Sequence, residues 1–491
     1  MHFIAPFDRS QLTLLGKLDD LVESRNIVRL LDLIVDQIVN NNIDKFSQKG
    51  QVDVGRKAFH PGTLSKLFLY GYLNSISSSR KLEVETHRNI ELIWLLGNLK
   101  PDHKTISDFR KSHDLEIRFL TLEFRRFLKE KGYITGKTIS LDGTKIKAYA
   151  NKDMFSLEKI EKRMIDLQSK LDQYLNKLRD NDLTDDLNDD IDCLTKEESK
   201  DYLINKIVEL EQQLVKLGQT KELFDAQDCK IISPSDPDAR LMKSRDGKLP
   251  GYNTQVAVDG ENKMIALAEV TNKEADQGLL KPQLDLLEKQ IEIVPEEALA
   301  DKGYYHLSQI KDVEQNNCTT CYIPPYNNKQ QRIDKISGIS FDYDEGLDAY
   351  QCSQGKLLRL KVRNVKKRNR IADLYVGEAC DGCAKRKECT ISKNGRYIFK
   401  FTDAQWVKSY KERMESPHSV NKSKQRKLLS EHIFGTLKYW MGKVPIKLRS
   451  LEKAQIEIDI YTTSYNFKRL TSLKSIEILA NEVRNYNWRA K

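Results

Sequence analysis

The stretch Thr138-Ile139-Ser140-Leu141-Asp142-Gly143-Thr144 decides how this chain is read. Apolar Ile139 and Leu141 alternate with polar residues, the two-residue period of a half-buried strand, and the run leads through an aspartate to a glycine turn. Ala298-Leu299-Ala300-Asp301-Lys302-Gly303-Tyr304-Tyr305 repeats the device. A third stretch, Ser430-Glu431-His432-Ile433-Phe434-Gly435-Thr436-Leu437-Lys438, reads as a helix with one carboxylate and a lysine seven residues on. The cationic run Lys422-Ser423-Lys424-Gln425-Arg426-Lys427 stands just before it.

The residues between these stretches supply a fold. Tyr252 to Val258 and Met264 to Val270 have strand character, and Asp259-Gly260 between them suits a hairpin. A helix is predicted over roughly Asp276 to Ile291, then a strand over Glu297 to Ala300. Strand, strand, strand, helix, strand and, much later, a Glu-bearing helix is the order of a ribonuclease-H-like α/β core. Its first and fourth strands lie side by side, which would bring Asp142 and Asp301 together.

Outward from this core the pattern is helical. Ile27, Leu30, Leu31, Ile34 and Ile38 recur at helical spacing, Pro61 stands where a helix can begin, and Leu64 to Leu73 is an apolar helix. Short helices over Ser79 to His87, Ile90 to Leu96 and Lys104 to Arg110, with Lys104, Arg110 and Lys111 near the last, resemble a helix-turn-helix DNA module. Leucines and isoleucines from Leu157 to Leu178 and from Leu203 to Leu217 keep heptad spacing, which predicts an antiparallel helical hairpin. Thr195 and Glu198 suit a capping box for its second helix. The seven aspartates of 180–192 between them lack the glycine and terminal glutamate of a calcium loop and read as a solvated loop. The expected organisation is a helical DNA-binding region, 1–135; a first part of the core, 136–315, interrupted by the hairpin at 152–225; a Cys-rich basic insertion, 316–395; and the second part of the core with C-terminal helices, 396–491.

Charge agrees with a polyanionic partner. Lys+Arg number 82 against 72 Asp+Glu, a net +10 over 491 residues, and the positive charge is clustered: 356–370 holds eight Lys/Arg and no acid. No apolar run is long enough to cross a bilayer, and the N-terminus has no basic segment followed by an apolar core. The expected compartment is therefore the cytoplasm, with the eight cysteines as reduced thiols or metal ligands.

Three carboxylates on two strands and a helix suit phosphoryl transfer. Breaking and rejoining a phosphodiester needs an activated oxygen nucleophile and a stabilised leaving oxygen, which divalent ions supply. Hard Mg²⁺ or Mn²⁺ takes oxygen ligands, so Asp142, Asp301 and Glu431 are the expected metal-binding and catalytic residues.

At these residues the chain resembles the bacterial insertion-sequence DDE transposases, in the branch with a Cys-bearing insertion before the catalytic glutamate. The resemblance rests on Phe59-His60-Pro61-Gly62, Leu69-Tyr70-Gly71-Tyr72-Leu73, Ser78-Ser79-Arg80-Lys81-Leu82-Glu83 and Leu99-Lys100-Pro101-Asp102-His103-Lys104-Thr105-Ile106. In the core it rests on Asp142-Gly143-Thr144, Ser235-Asp236-Pro237-Asp238-Ala239-Arg240, Gly251-Tyr252-Asn253, Asp301-Lys302-Gly303-Tyr304 and Glu431-His432-Ile433-Phe434-Gly435. It implies an enzyme that binds terminal inverted repeats, nicks DNA with water and joins the freed 3′-hydroxyl to target DNA, acting as at least a homodimer. It implies catalytic roles for Asp142, Asp301 and Glu431, and a DNA phosphate for Lys438. Related families often carry Tyr seven and Arg four residues before the glutamate. Here those positions are Lys424 and Lys427, with Arg426 one step away, so charge is kept without the aromatic ring. The competing expectation is a transposase-derived repressor that binds DNA without cutting it; a third is a nuclease that cuts without joining.

Cys380-x₂-Cys383-x₅-Cys389, with Cys352 upstream, could form a tetrahedral Cys₄ zinc site that presents the basic block to DNA. Cys318-x₂-Cys321 offers a competing pair. Trp406, Tyr410, Tyr439 and Trp440 lie near the glutamate segment, where aromatics either stack on unpaired bases or pack in a core.

Overall fold

A computed structural model describes residues 4, 7–10, 12–13, 16–46, 57–150, 154–185, 193–226, 231–244, 247–326, 338–367, 370–436 and 446–489. The N-terminal helices are α1 (Ile27–Asn41), α2 (Pro61–Leu73), α3 (Ser79–Arg88), α4 (Ile90–Leu95), α5 (His103–Ser112) and α6 (Asp114–Glu130). Pro61 occupies the first turn of α2, where no N–H is missed, and the His60 ring accepts from the Gly62 N–H at 3.1 Å. Among the described residues no helix is long and apolar enough to cross a membrane.

Six strands make the first sheet: β1 (Thr138–Lys147), β2 (Arg240–Ser244), β3 (Gly247–Asp259), β4 (Ile265–Thr271), β5 (Glu297–Ala300) and β6 (Thr320–Tyr322). Their order is β2-β3-β1-β5-β6, with β4 paired to the other side of β3 from β1. The first three long strands are antiparallel, and β5 lies beside β1, as the strand order predicts, and runs parallel to it. Ile139 and Leu141 of β1 are buried on one face of the sheet, each worth about 1.5–3 kcal/mol relative to exposure.

Between β1 and β2 rises the helical hairpin α7 (Leu157–Asp185) and α8 (Cys193–Ala226), which has its own apolar cluster from Ile160 to Phe224. Mutual backbone hydrogen bonds of 2.9 Å between Phe155 and Ile232 close its base. Helix α7 runs into the aspartate-rich stretch as far as Asp185, and residues 186–192 lie outside those described. Helix α8 starts at Cys193, so Thr195 lies within the helix and not at its cap.

Helix α9 (Leu280–Ile291) begins four residues later than its periodicity predicts, and Pro282 sits in its first turn. The residues before it, Asp276 among them, are thereby released to pack on the sheet. Helix α10 (Leu307–Asn316) precedes β6. Thr320–Tyr322, assigned by sequence to the Cys-rich segment, therefore joins the first sheet as its edge.

The second sheet is an antiparallel meander ordered β7 (Phe341–Asp344), β8 (Ala349–Cys352), β9 (Leu357–Lys367), β10 (Arg370–Gly377) and β11 (Tyr397–Phe401). Among the described residues the C-terminal part holds the helices α11 (Ala404–Glu415), α12 (Pro417–Gly435), α13 (Leu451–Thr471) and α14 (Ile476–Arg484).

Helix α13 joins the N-terminal helices to the first sheet in one continuous core. It also caps the exposed edge of β4. The Asn466 side chain exchanges two 2.8 Å hydrogen bonds with the Ile265 backbone, and Gln455 bonds Val270 N at 2.7 Å and Ala268 O at 2.9 Å. Eleven residues of helix rise about 16 Å and five of strand about 17 Å, so the amides fall in step with the ladder. On its other faces α13 buries Glu457 3.2 Å from Arg110 and Asp459 3.8 Å from Arg125. Arg110, read from sequence as part of a DNA-binding module, is thus a buried structural cation, because Glu457 is its partner.

Candidate functional site

Asp142 lies midway along β1, and Asp301 follows the last residue of β5. Leu141 and Ala300 are register partners in the parallel pair, so the two aspartates are the next step on adjacent strands. Asp301 caps the turn Lys302–Tyr304 by accepting from the Gly303 N–H at 2.7 Å, and Asp142 accepts from the Gly143 N–H at 2.8 Å.

Helix α12 packs over these strands. Lys422, Arg426 and Ser430 stand four residues apart and share its sheet-facing side. Lys422 pairs with Glu297 of β5. The Arg426 guanidinium is 3.2 Å from the Asp142 carboxylate, and the Ser430 hydroxyl, which donates to Arg426 O at 3.1 Å, lies near the same group. Burial pushes the Asp142 carboxyl above its ordinary pKa, and the Asp301 charge pushes it further. Ser430, Arg426 and the Gly143 N–H pull it back.

Glu431 follows Ser430 and is therefore turned about 100° around the helix. Its carboxylate is 65% exposed and 3.8 Å from Lys427, which is itself exposed. Lys424 also faces solvent, and Lys438, Tyr439 and Trp440 lie outside the described residues. The fold thus brings Asp142, Asp301 and Arg426 together, and leaves Glu431, Lys424 and Lys427 on the outer faces of the same helix. Among the described residues no three carboxylate, imidazole or thiol groups are gathered tightly enough to hold one metal ion. His432 turns away, 3.4 Å from the Tyr465 hydroxyl. Tyr410 is buried against Trp406 and donates to Ile323 O at 2.7 Å, which makes it core rather than a stacking platform.

The sequence reading missed a polar buttress behind the aspartates. Asp276 accepts from Asn253 at 2.7 Å, Gln255 at 2.9 Å and Lys145 at 3.1 Å. The Tyr304 hydroxyl bonds Gln255, and the charges of Asp276, Asp142 and Asp301 all bear on it. The available signal was Asn253 and Gln255 themselves, two amides alternating through an otherwise buried apolar strand. Gly143 belongs to the same buttress. It is not a turn: β1 continues through it, paired with Gln255. A Cβ there would come within 2.6 Å of Asp276 and Gln255, so the close approach is what requires glycine.

Cys352, Cys380, Cys383 and Cys389 line one cavity at the end of the second sheet, whereas Cys321 is buried in β6 of the first sheet and Cys318 is exposed beside it.

Two family matches bear on this arrangement. Residues 16–112 match the transposase domain DUF772, and residues 216–467 match the transposase DDE domain. The second match contains Asp301 and Glu431, while Asp142 lies between the two. No curated protein and no solved structure matches the chain.

Proposed function

The chain belongs to the insertion-sequence DDE transposases, and on that premise we propose that it cuts and joins DNA at the ends of its element by divalent-metal-dependent phosphoryl transfer. The carrying observation is the aspartate pair on neighbouring parallel strands beneath a cationic helix that also bears Glu431. The strand order supports a ribonuclease-H-like core, with the helical hairpin and the Cys-bearing sheet as insertions and residues 1–135 as a DNA-binding region.

The donor set suits a hard cation. Asp142 and Asp301 offer only oxygens, and the nearby imidazole of His432 points elsewhere. Asp142, Asp301 and Glu431 would hold Mg²⁺ or Mn²⁺. Bound there, such a cation supplies Lewis-acid activation of the attacking water or 3′-hydroxyl and stabilises the leaving oxygen.

The chain's own part is electrostatic exchange. Without DNA, Arg426 neutralises Asp142 and Lys427 neutralises Glu431. DNA phosphates compete for these cations, together with Lys424 and Lys438. Arg426 then leaves Asp142 for a phosphate, and the Glu431 side chain turns from Lys427 toward the aspartates, on the helix whose Arg426 already pairs with Asp142. Substrate binding and assembly of the carboxylate triad are thereby one event. Pairing two element ends requires at least a homodimer. The second reading, a transposase-derived repressor, draws on the same Arg426–Asp142 pair, which in a pure binding protein would simply stay closed.

A plasmid carrying the DNA that flanks the reading frame tests the proposal. With Mg²⁺, the protein should cut at the element boundaries and yield joined products, and Asp142→Asn, Asp301→Asn and Glu431→Gln should each abolish them while retaining binding. Binding of the ends without any cutting would establish the repressor instead, and cutting without joined products the nuclease.

A further inference from the structure

We propose that Cys352, Cys380, Cys383 and Cys389 form a structural zinc site that ties together the open end of the second sheet. This inference is independent of the carboxylate site. The four thiols come from three separate places: the end of β8, the turn after β10 and a short helix, Arg386–Cys389. The chain folds all of them around one cavity, which Cys318 and Cys321 do not line. The competing cysteine pair is thus set apart. Cys321 is buried in the first sheet with Thr319 O as its sulfur's partner, and burial pushes its thiol pKa up.

The backbone turns tightly at two of these cysteines. Cys352 and Cys380 each open a tight turn that contains a left-handed glycine, Gly355 (φ +73°) as the last residue of the first and Gly382 (φ +74°) as the third residue of the second. Gly355 N bonds Cys352 O at 2.8 Å, and Cys383 N bonds Cys380 O at 3.4 Å. The Arg396 N–H already donates to Cys380 Sγ at 3.5 Å, and the Arg396 side chain fixes Cys389 O at 2.6 Å. Gly377 and Gly395 crowd the Cys380 sulfur, with ideal Cβ positions 2.6 and 3.2 Å away, so glycine at both keeps the space that this sulfur needs.

The sulfurs line the cavity without being gathered to the spacing of ligands on one ion, and zinc binding would have to draw them together. Four soft thiolates select Zn²⁺ over the hard cation of the carboxylate site. The place is also mechanically apt. The turn after β8 leads into β9, and the turn after β10 leads out of its partner, so one ion would clamp the root of the hairpin that displays Lys361, Lys366 and Lys367 to solvent.

Metal analysis of the full-length protein, purified under reducing conditions, loaded with Zn²⁺ and dialysed, should give one zinc per chain. Cys380→Ser and Cys383→Ser should lose it, whereas Cys318→Ser and Asp142→Asn should keep it. Cobalt loading of the wild-type protein avoids any folding defect of the variants: tetrahedral thiolate coordination gives strong visible bands and a sulfur-to-metal charge-transfer band. Substoichiometric zinc, zinc retained by both Cys380 and Cys383 variants, or a weak octahedral cobalt spectrum would overturn the proposal.

Discussion

Helices α12 and α13 both press polar side chains against the first sheet, yet they do opposite work. On α13 the amides of Gln455 and Asn466 and the acids Glu457 and Asp459 are buried with fixed partners. On α12 the cations Arg426 and Lys427 and the acid Glu431 are partly or largely open to water, and their ion pairs can be exchanged. Buried pairing fixes architecture, because breaking it strands a charge or a backbone group in a dry place. Exposed pairing costs little to break, so a polyanion can replace it.

The comparison breaks most sharply at the aspartates. Asp142→Asn or Asp301→Asn should lower single-turnover DNA cleavage by about a thousandfold, the scale of removing a transition-state charge stabiliser. Asp142→Asn should leave the melting temperature at neutral pH unchanged or raised, since it relieves a buried charge.

Glu431→Gln should cost cleavage about a hundredfold or more despite the residue's exposure, with no change in thermal unfolding. Wild-type cutting by this variant would show that α12 contributes no carboxylate.

The α13 side should respond in the reverse sense. Asn466→Ala orphans the Ile265 N–H and C=O, each worth about 1–3 kcal/mol when buried. Urea denaturation should show a loss of about 3 kcal/mol, while cleavage per folded molecule stays at the wild-type level.

Arg426→Ala should weaken DNA binding about tenfold and reduce the salt slope by about one. In the DNA-free protein it should also move the acid limb of divalent-metal binding to higher pH. Asp142 must be ionised to hold a cation, its pKa already sits above the ordinary value, and Arg426 is one of the groups holding it down. Metal binding by the DNA-free protein is therefore lost as pH falls through that raised value, sooner in the variant.

A pH dependence of stability follows from Glu457, which burial pushes up to about 7 against the opposing pull of Arg110. Its folded form binds a proton more tightly than the unfolded chain does. Its contribution to stability is thus present at low pH and lost as pH rises through about 7. Denaturant midpoints measured from pH 5 to 8 should fall across that window, and Glu457→Gln should flatten the fall.

Much of the fold was legible. The strand over Glu297–Ala300, the hairpin at Asp259-Gly260 and the helix opening at Pro61 follow from local periodicity and turn chemistry, which short-range sterics enforce. The site was legible in part. The two aspartates stand where strand order implies, but Gly143 reads as a turn in sequence and is a close contact in space. Asp276 looked helical until Pro282 delayed the helix. Arg110 looked like a surface cation, because its partner Glu457 is hundreds of residues away.

Sequence alone determined the element types and the candidate acids, since alternation, capping and composition act over a few residues. Tertiary structure decided which face of α12 meets β1. Helical geometry turns consecutive residues through about 100°, so Arg426 reaches Asp142 while Glu431 looks outward. No local pattern carries that choice, because it is set by the packing of a helix and two strands drawn from distant parts of the chain.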